Sequence, residues 1–373
     1  MTKKILISLF FFPSLVFGQH LKVEDSLVVA CEQFVEQYRI YFHIQHHNDQ
    51  WYILEPDFAY MHIADSTGSC ITHIDIMNPK GYQFFSYHFD VEGDDIYFLK
   101  DLGIHRFNHK GEYLNFYGQV RIHEGWNYLK QYPTPMLILD NKIYYNTFLY
   151  RDATFNIYKY HLTPDAYKTD IVSVYPLPGL QIPDDSIKWL FPERTFGQRN
   201  EIYKKQDAFL PHLDKRYFTA DDEMNIYFSE EATPVISVFN LEGKLLRQFG
   251  EKGKYFEDTL TYMTGQEMEK DHFYATRKAL RLESYKYRHI YVDSKNGLVY
   301  RMYRTRNYID REKEAGFIQV YKDGELVLDE PIDLYLSIIK AENGIVYYHY
   351  QPKDRLEHGL IIYKGRLEWD EKN

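Results

Sequence analysis

Residues 217–250 read YFTADDEMNIYFSEEATPVISVFNLEGKLLRQFG, and residues 87–118 read YHFDVEGDDIYFLKDLGIHRFNHKGEYLNFYG. Ile226-Tyr227-Phe228 repeats Ile96-Tyr97-Phe98 at an offset of 130 residues. After a two-residue slip, Ile236, Phe239, Asn240, Gly243, Leu246 and Gly250 repeat Ile104, Phe107, Asn108, Gly111, Leu114 and Gly118 at an offset of 132. Each copy holds four short apolar-aromatic runs, which in the later copy fall at 217–220, 226–229, 235–239 and 245–249. Turn-forming residues separate them, 221–225 and 242–244, with Gly243 free to take a positive φ. Alternation along 236–240 places apolar groups on both faces of the strand. A sheet that is apolar on both faces needs a neighbour on each side. Such a repeat cannot bury itself alone, so it predicts an array of four-stranded sheets.

Weaker copies extend the pattern outward. Residues 289–303 and 317–328 supply the inner pair and outer hairpin of a later unit, and 344–350 with 359–368 supply a C-terminal one. Residues 136–148 with 155–162 read as another unit, and 51–54, 60–64 and 70–82 as the first. The count is six, or seven if the opening stretch supplies more than a closing strand. The fold class is therefore all-β, a six-bladed β-propeller with four-stranded antiparallel blades, closed by an N-terminal strand around 27–43 pairing with the last blade. An ordinary β-sandwich, or two β-domains, is the competing reading. It does not account for matched order, spacing and turn glycines.

Two stretches break the pattern. Residues 163–215 carry six prolines together with Trp189, Phe191, Phe196 and Phe209. Residues 251–286 have helical spacing at Tyr262, Met263, Met268, Phe273, Tyr274 and Leu280, which predicts one or two short helices. Long excursions in compact domains tend to carry function, and these leave the blade ends where they can roof the channel or pack on the rim.

The termini and composition set the class. Lys3 and Lys4 precede an apolar run at 5–12, broken by Pro13, and Val16-Phe17-Gly18 ends the segment. Residues 1–18 read as a secretory signal peptide, too short to span a membrane, with 19–373 as a single propeller domain. Removing two lysines takes the net charge from −10 to −12. An exported protein, periplasmic or extracellular, is expected, and no Cys follows the cleavage point to carry lipid. Cys31 and Cys70 read equally as a disulfide or as two buried thiols. Aromatic residues make up 17% of the chain, with 36 Tyr and 25 Phe, which favours strands over helices. Net acidity without a sustained basic stripe argues against nucleic acid. A monomer is expected.

Candidate chemistry is sparse. His43, His46, His47 and Asp49 form the densest metal-like group, read more simply as a polar loop because no HExxH or CxxC accompanies them. The acidic groups at 90–95 and 221–223 read as solvated turns rather than calcium sites, since EF-hand spacing is absent. No GxSxG elbow appears. Trp126, Trp189, Tyr285 and Tyr287 are the candidate exposed rings for stacking on a sugar or peptide, although most aromatic residues should be blade core.

The 236–250 motif, I-x-V-F-N-x-x-G-K-x-L-x-x-F-G, resembles the outer hairpin of NHL-type repeats. Residues 287–304, with Tyr291-Val292-Asp293, a turn at 294–297 and Val299-Tyr300-Arg301, resemble secreted TolB-like six-bladed propellers of uncharacterised function. That resemblance implies a bacterial exported protein and carries no catalytic set. The reading is an exported, non-catalytic binder of an envelope protein, peptide or glycan, with no cofactor. The alternative is a metal-dependent hydrolase or lactonase using the central channel.

Overall fold

The computed structural model describes residues 21–369 apart from 32–41, 56–59, 77–87, 101–102, 121–125, 128–135, 147–149, 153–159, 162–169, 178–188, 191–192, 199, 206–207, 211–212, 214, 258–259, 265–266, 268–274, 277–278, 281–283, 305–314, 351–354 and 357–358. Residues 1–18, the expected signal peptide, lie outside the described residues.

The first strand, β1 (Leu21–Ala30), stands apart from those that follow it. Blade 1 is β2 (His43–His47), β3 (Gln50–Glu55), β4 (Tyr60–Ala64) and β5 (Cys70–Asp75). Blade 2 is β6 (His88–Glu92), β7 (Asp95–Lys100), β8 (Gly103–Asn108) and β9 (Tyr113–Val120). Blade 3 is β10 (Met136–Leu139), β11 (Lys142–Asn146), β12 (Val172–Pro176) and β13 (Arg194–Phe196). Blade 4 is β14 (Arg216–Ala220), β15 (Ile226–Glu230), β16 (Ile236–Phe239) and β17 (Leu245–Phe249). Blade 5 is β18 (Lys286–Asp293), β19 (Leu298–Arg304), β20 (Gly316–Lys322) and β21 (Glu325–Ile332). Blade 6 is β22 (Leu336–Glu342), β23 (Ile345–Tyr350) and β24 (Gly359–Leu367), and its outer place is filled by β1.

The first strands form the inner ring. β2 meets β6, and contacts continue through β10, β14, β18 and β22 back to β2. The result is a closed six-bladed β-propeller. Leu21 pairs with Leu367 and Ala30 with Gly359, so the N-terminus closes the ring as expected. The closing strand is Leu21–Ala30 rather than 27–43, because His43 already belongs to β2.

Alternation explains how neighbours lock together. On β7, Ile96 and Phe98 pack towards blade 1 with Tyr52 and Met61, whereas Tyr97 packs towards blade 3 with Ile138 and Tyr175. On β15, Ile226 and Phe228 turn towards blade 3 and Tyr227 towards blade 5. Two further clusters fill the junctions between blades 5 and 6 and between blades 6 and 1. Each junction thus buries one face of each partner, the source of the array's stability.

The repeated Asn and Gly are turn formers. Asn108 Oδ1 accepts the N–H groups of Lys110 and Glu112, and Asn240 Oδ1 accepts that of Lys244. Gly111 and Gly243 adopt φ of +82° and +79°, and an added Cβ would strike Ile74 or Phe196 of the preceding blade. The F-N-x-x-G pattern therefore encodes both a turn and a close blade contact.

Three further expectations need correction. The third strand of blade 3 is Val172–Pro176, not 155–162; four of its five residues are buried, and the nearby prolines hid this from the sequence. Of 155–162, Tyr160–His161 is described, and it pairs with Tyr150–Asp152 in a small sheet beside the blade. The expected insertion 163–215 accordingly contains β12 and β13. Finally, the histidine segment is strand β2, not a polar loop. In the second insertion, Glu267, Ala275, Thr276, Ala279 and Leu280 are helical, in line with the expected short helices. Cys31 and Cys70 are disulfide-bonded.

Candidate functional site: the channel mouth on the elaborated face

The two faces of the ring differ. On one, successive strands are joined by tight hairpins that place Asn48, Asp49, Asp140, Asn141, Met224, Asp323 and Asn343 at positive φ. The connection 177–193 is the exception there; its Trp189–Leu190 adds in parallel to Gln119–Val120 of β9. The opposite face, where the inner strands begin, carries the long connections 76–87, 121–135, 147–171, 197–215, 250–285 and 305–315. Two of these are tied together, since Lys204–Lys205, Ala208–Phe209 and Met263–Thr264 form one small sheet. Trp126 lies on this face, in the short pairing of Trp126–Asn127 with Tyr150–Arg151.

Imidazoles and cations gather where the inner strands start. His43 opens β2 and His88 opens β6, with ring centroids 5.1 Å apart. His289 on β18 lies 4.8 Å from the Tyr217 ring on β14. Burial, then the nearby Lys215 ammonium, push His43 down to about 4. Burial also holds His289 well below the usual imidazole range, helped by Arg288, His43, Lys215 and Arg304. His349, near the end of β23, is held at about 3 by burial and then His43. The rings of His43, His289 and His349 are neutral in neutral water, and the cations near His43 and His289 are Lys215, Arg288 and Arg304.

Deeper in the channel, Asp90 on β6 accepts the backbone N–H of Ile138 from the next blade. Burial pushes its carboxyl up to about 7. His46 sits towards the hairpin end of β2. Its Nδ1 lies 2.9 Å from Lys340 Nζ, and burial followed by that ammonium holds it near 4. One strand thus spreads the expected histidine group: at about 3.3 Å per residue, His43 and His47 start about 13 Å apart. Asp49 is exposed in the hairpin.

The excursion 250–285 is anchored to blade 5 at its start. Gly253 N–H donates to the Tyr287 hydroxyl, Glu251 N–H to that of Tyr321, and Lys254 N–H to Asp329. Tyr303 donates to Asp329, and Gln319 donates to Glu251 O. Arg301, fully buried, lies 3.6 Å from the Tyr287 ring centroid. Its guanidinium donates to the carbonyls of Glu230, Thr233 and Pro234. Tyr287 is therefore enclosed within this clamp, and Tyr285 is half-buried against Phe256. The mouth residues His88, Lys215, Arg288, His289, Arg304 and His349 escaped sequence reasoning. Their common signal is position: each lies near the same end of a first or second blade strand.

No family model matches the chain, and no curated protein matches it. The fold does have solved counterparts. A member of the DUF4221 family from Bacteroides vulgatus aligns over 94% of this chain and 98% of its own, with 12% identity and a TM-score of 0.63. A Bacteroides fragilis protein for which export is proposed aligns over 92% of this chain and 95% of its own, with 11% identity and a TM-score of 0.53. At such identities the likeness is one of fold. The TolB-like and NHL-like resemblance stays at the level of the blade pattern. No helix among the described residues is long and apolar enough to cross a membrane.

Proposed function

We propose that this chain is an exported binding propeller that takes an anionic ligand at the channel mouth of its elaborated face. The supporting observation is that Lys215 stands near both His43 and His289, and Arg288 and Arg304 near His289, beside imidazoles that burial keeps neutral. An entering carboxylate or sulfate meets cations already held in place, and neutral rings that can donate hydrogen bonds without desolvating a second charge. The surrounding connections carry aromatic residues in their sequence, Trp126 among them, for contact with the rest of the ligand. Export is supported by the basic, apolar, small-residue order of residues 1–18.

Array probing with acidic and neutral oligosaccharides and peptides, using the mature chain and its Lys215→Gln variant, tests the reading. Bound probes should be enriched in acidic ones and should weaken on substitution. Binding confined to neutral probes, or turnover of a probe, contradicts it.

A further inference from the structure

A second cluster lies on the outer strands of blade 1, away from the channel. Cys31 Sγ, Cys70 Sγ and a ring nitrogen of His62 all lie within 4.8 Å of one another. Three ligands around a tetrahedral zinc ion lie about 3.5 Å apart, so the spacing suits one soft cation after small adjustments. Cys31 and His62 are completely buried. Each ring nitrogen of His62 lies against a polar group. Its Nε2 is 3.4 Å from Glu55 Oε2, and its Nδ1 is 3.3 Å from His73 Nδ1. Whichever nitrogen binds an ion, the other already faces a partner that fixes the tautomer. Glu55 is the independent pointer. It is fully buried, and neither carboxylate oxygen accepts a hydrogen bond among the described residues. A buried carboxylate without such bonds is costly unless a cation stands nearby.

We propose that Cys31, Cys70 and His62 form a redox-gated site for one soft divalent cation of the zinc class, supported by Glu55 and His73. In the oxidised chain the two sulfurs are bonded to each other, and the site is closed. A dithiol reductant attacks the Cys31–Cys70 bond, leaves as its own cyclic disulfide, and converts both cysteines to thiols. The cation then displaces one proton from each thiol and binds two thiolates and one imidazole nitrogen, with the fourth position left to water. The location gives the switch a structural consequence. Cys31 directly follows the closing strand β1, whose Ala30 N–H donates to Gly68 O in the turn before Cys70. Disulfide and metal are two ways of fastening the same seam between blades 6 and 1.

The test is cadmium titration of the mature chain, oxidised and reduced, followed by the ultraviolet cadmium–thiolate band. The reduced chain should bind one cadmium per chain and the oxidised chain none. Glu55→Gln should weaken binding by about 10- to 100-fold while the thiols stay intact. If reduction loosens the fold, cadmium should raise the melting temperature of the reduced chain but not that of a Cys31→Ser, Cys70→Ser double variant. A folded, reduced chain with two titratable thiols and no cadmium band overturns the proposal. So does equal cadmium affinity in the His62→Ala variant, or the same melting shift in the double-serine variant.

Discussion

Ile96 and Ile226 hold the same place in two different blades. Ile96 pairs with Val91 on one side and Phe107 on the other, and Ile226 pairs with Ala220 and Phe239. Both are buried at a junction with the preceding blade. Phe107 and Phe239 are themselves a repeated pair, so the similarity in sequence is a similarity in register. Ring architecture follows, because one unit with two apolar faces is satisfied only between two others.

Acid should destabilise the ring. His43 and His46 are held at about 4 and His349 at about 3, against an ordinary 6.5, and His289 is also depressed. Between these values the unfolded chain binds protons that the folded chain refuses, so stability falls as pH drops below 6.5. At pH 5 the fully buried His43 costs about 2 kcal/mol, and the more open His46 costs less because solvent screens it. Asp90, raised to about 7, works in the opposite direction: its contribution is present at low pH and fades as pH rises towards 7. One such group does not offset four. Urea midpoints at pH 7.5 and pH 5 measure the balance, and an equal or higher midpoint at pH 5 contradicts it.

The seam between the last and first blades is closely packed. Gly68 has φ +85°, and a Cβ there would lie 2.1 Å from the backbone oxygen of Val28 in β1. Gly93 has φ +60° but nothing within 4 Å of the same position. Gly93→Ala should therefore cost about 1 kcal/mol, the backbone penalty alone. Gly68→Ala adds a backbone clash and should cost about 3 kcal/mol. Equal losses in chemical unfolding would mean that β1 does not pack on this turn.

Arg301 ties blade 5 to the connection 231–235. Arg301→Met removes the donor from three carbonyls and the cation from the Tyr287 face, and should cost about 3 kcal/mol. Arg301→Lys keeps the charge but not the planar fork, and should recover only part of the loss. Denaturant melts of both variants decide it; a loss below about 1 kcal/mol for Arg301→Met contradicts the clamp.

The parts of this fold that were legible in the sequence are those in which local pattern and global position agree. Blades 4 and 5 were read nearly strand for strand, because their runs alternate and their turns carry Gly243, Gly297 and Gly324. Blade 3 was misread because β12 lies far from β11 in a proline-rich stretch, and nothing local marks it as the partner of β11. His43–His47 looked like a loop because an inner strand beside a channel tolerates polar residues. The mouth was invisible for a stronger reason: His43, Lys215, His289 and His349 meet only after the ring closes, and no spacing within one blade encodes that meeting. The Glu55, His62 and His73 group lies within one blade. Strand pairing across β3, β4 and β5 could have disclosed it once the registers were known.

Ring closure itself is tested most directly by removing residues 359–373, which hold β24. That strand pairs with both β1 and β23, so its loss leaves the closing strand without a partner and opens blade 6. A calorimetric scan of the truncated chain should show that the cooperative melting transition of the full chain has been lost. A transition at the same temperature and with the same enthalpy as the full chain would contradict a closed six-bladed ring.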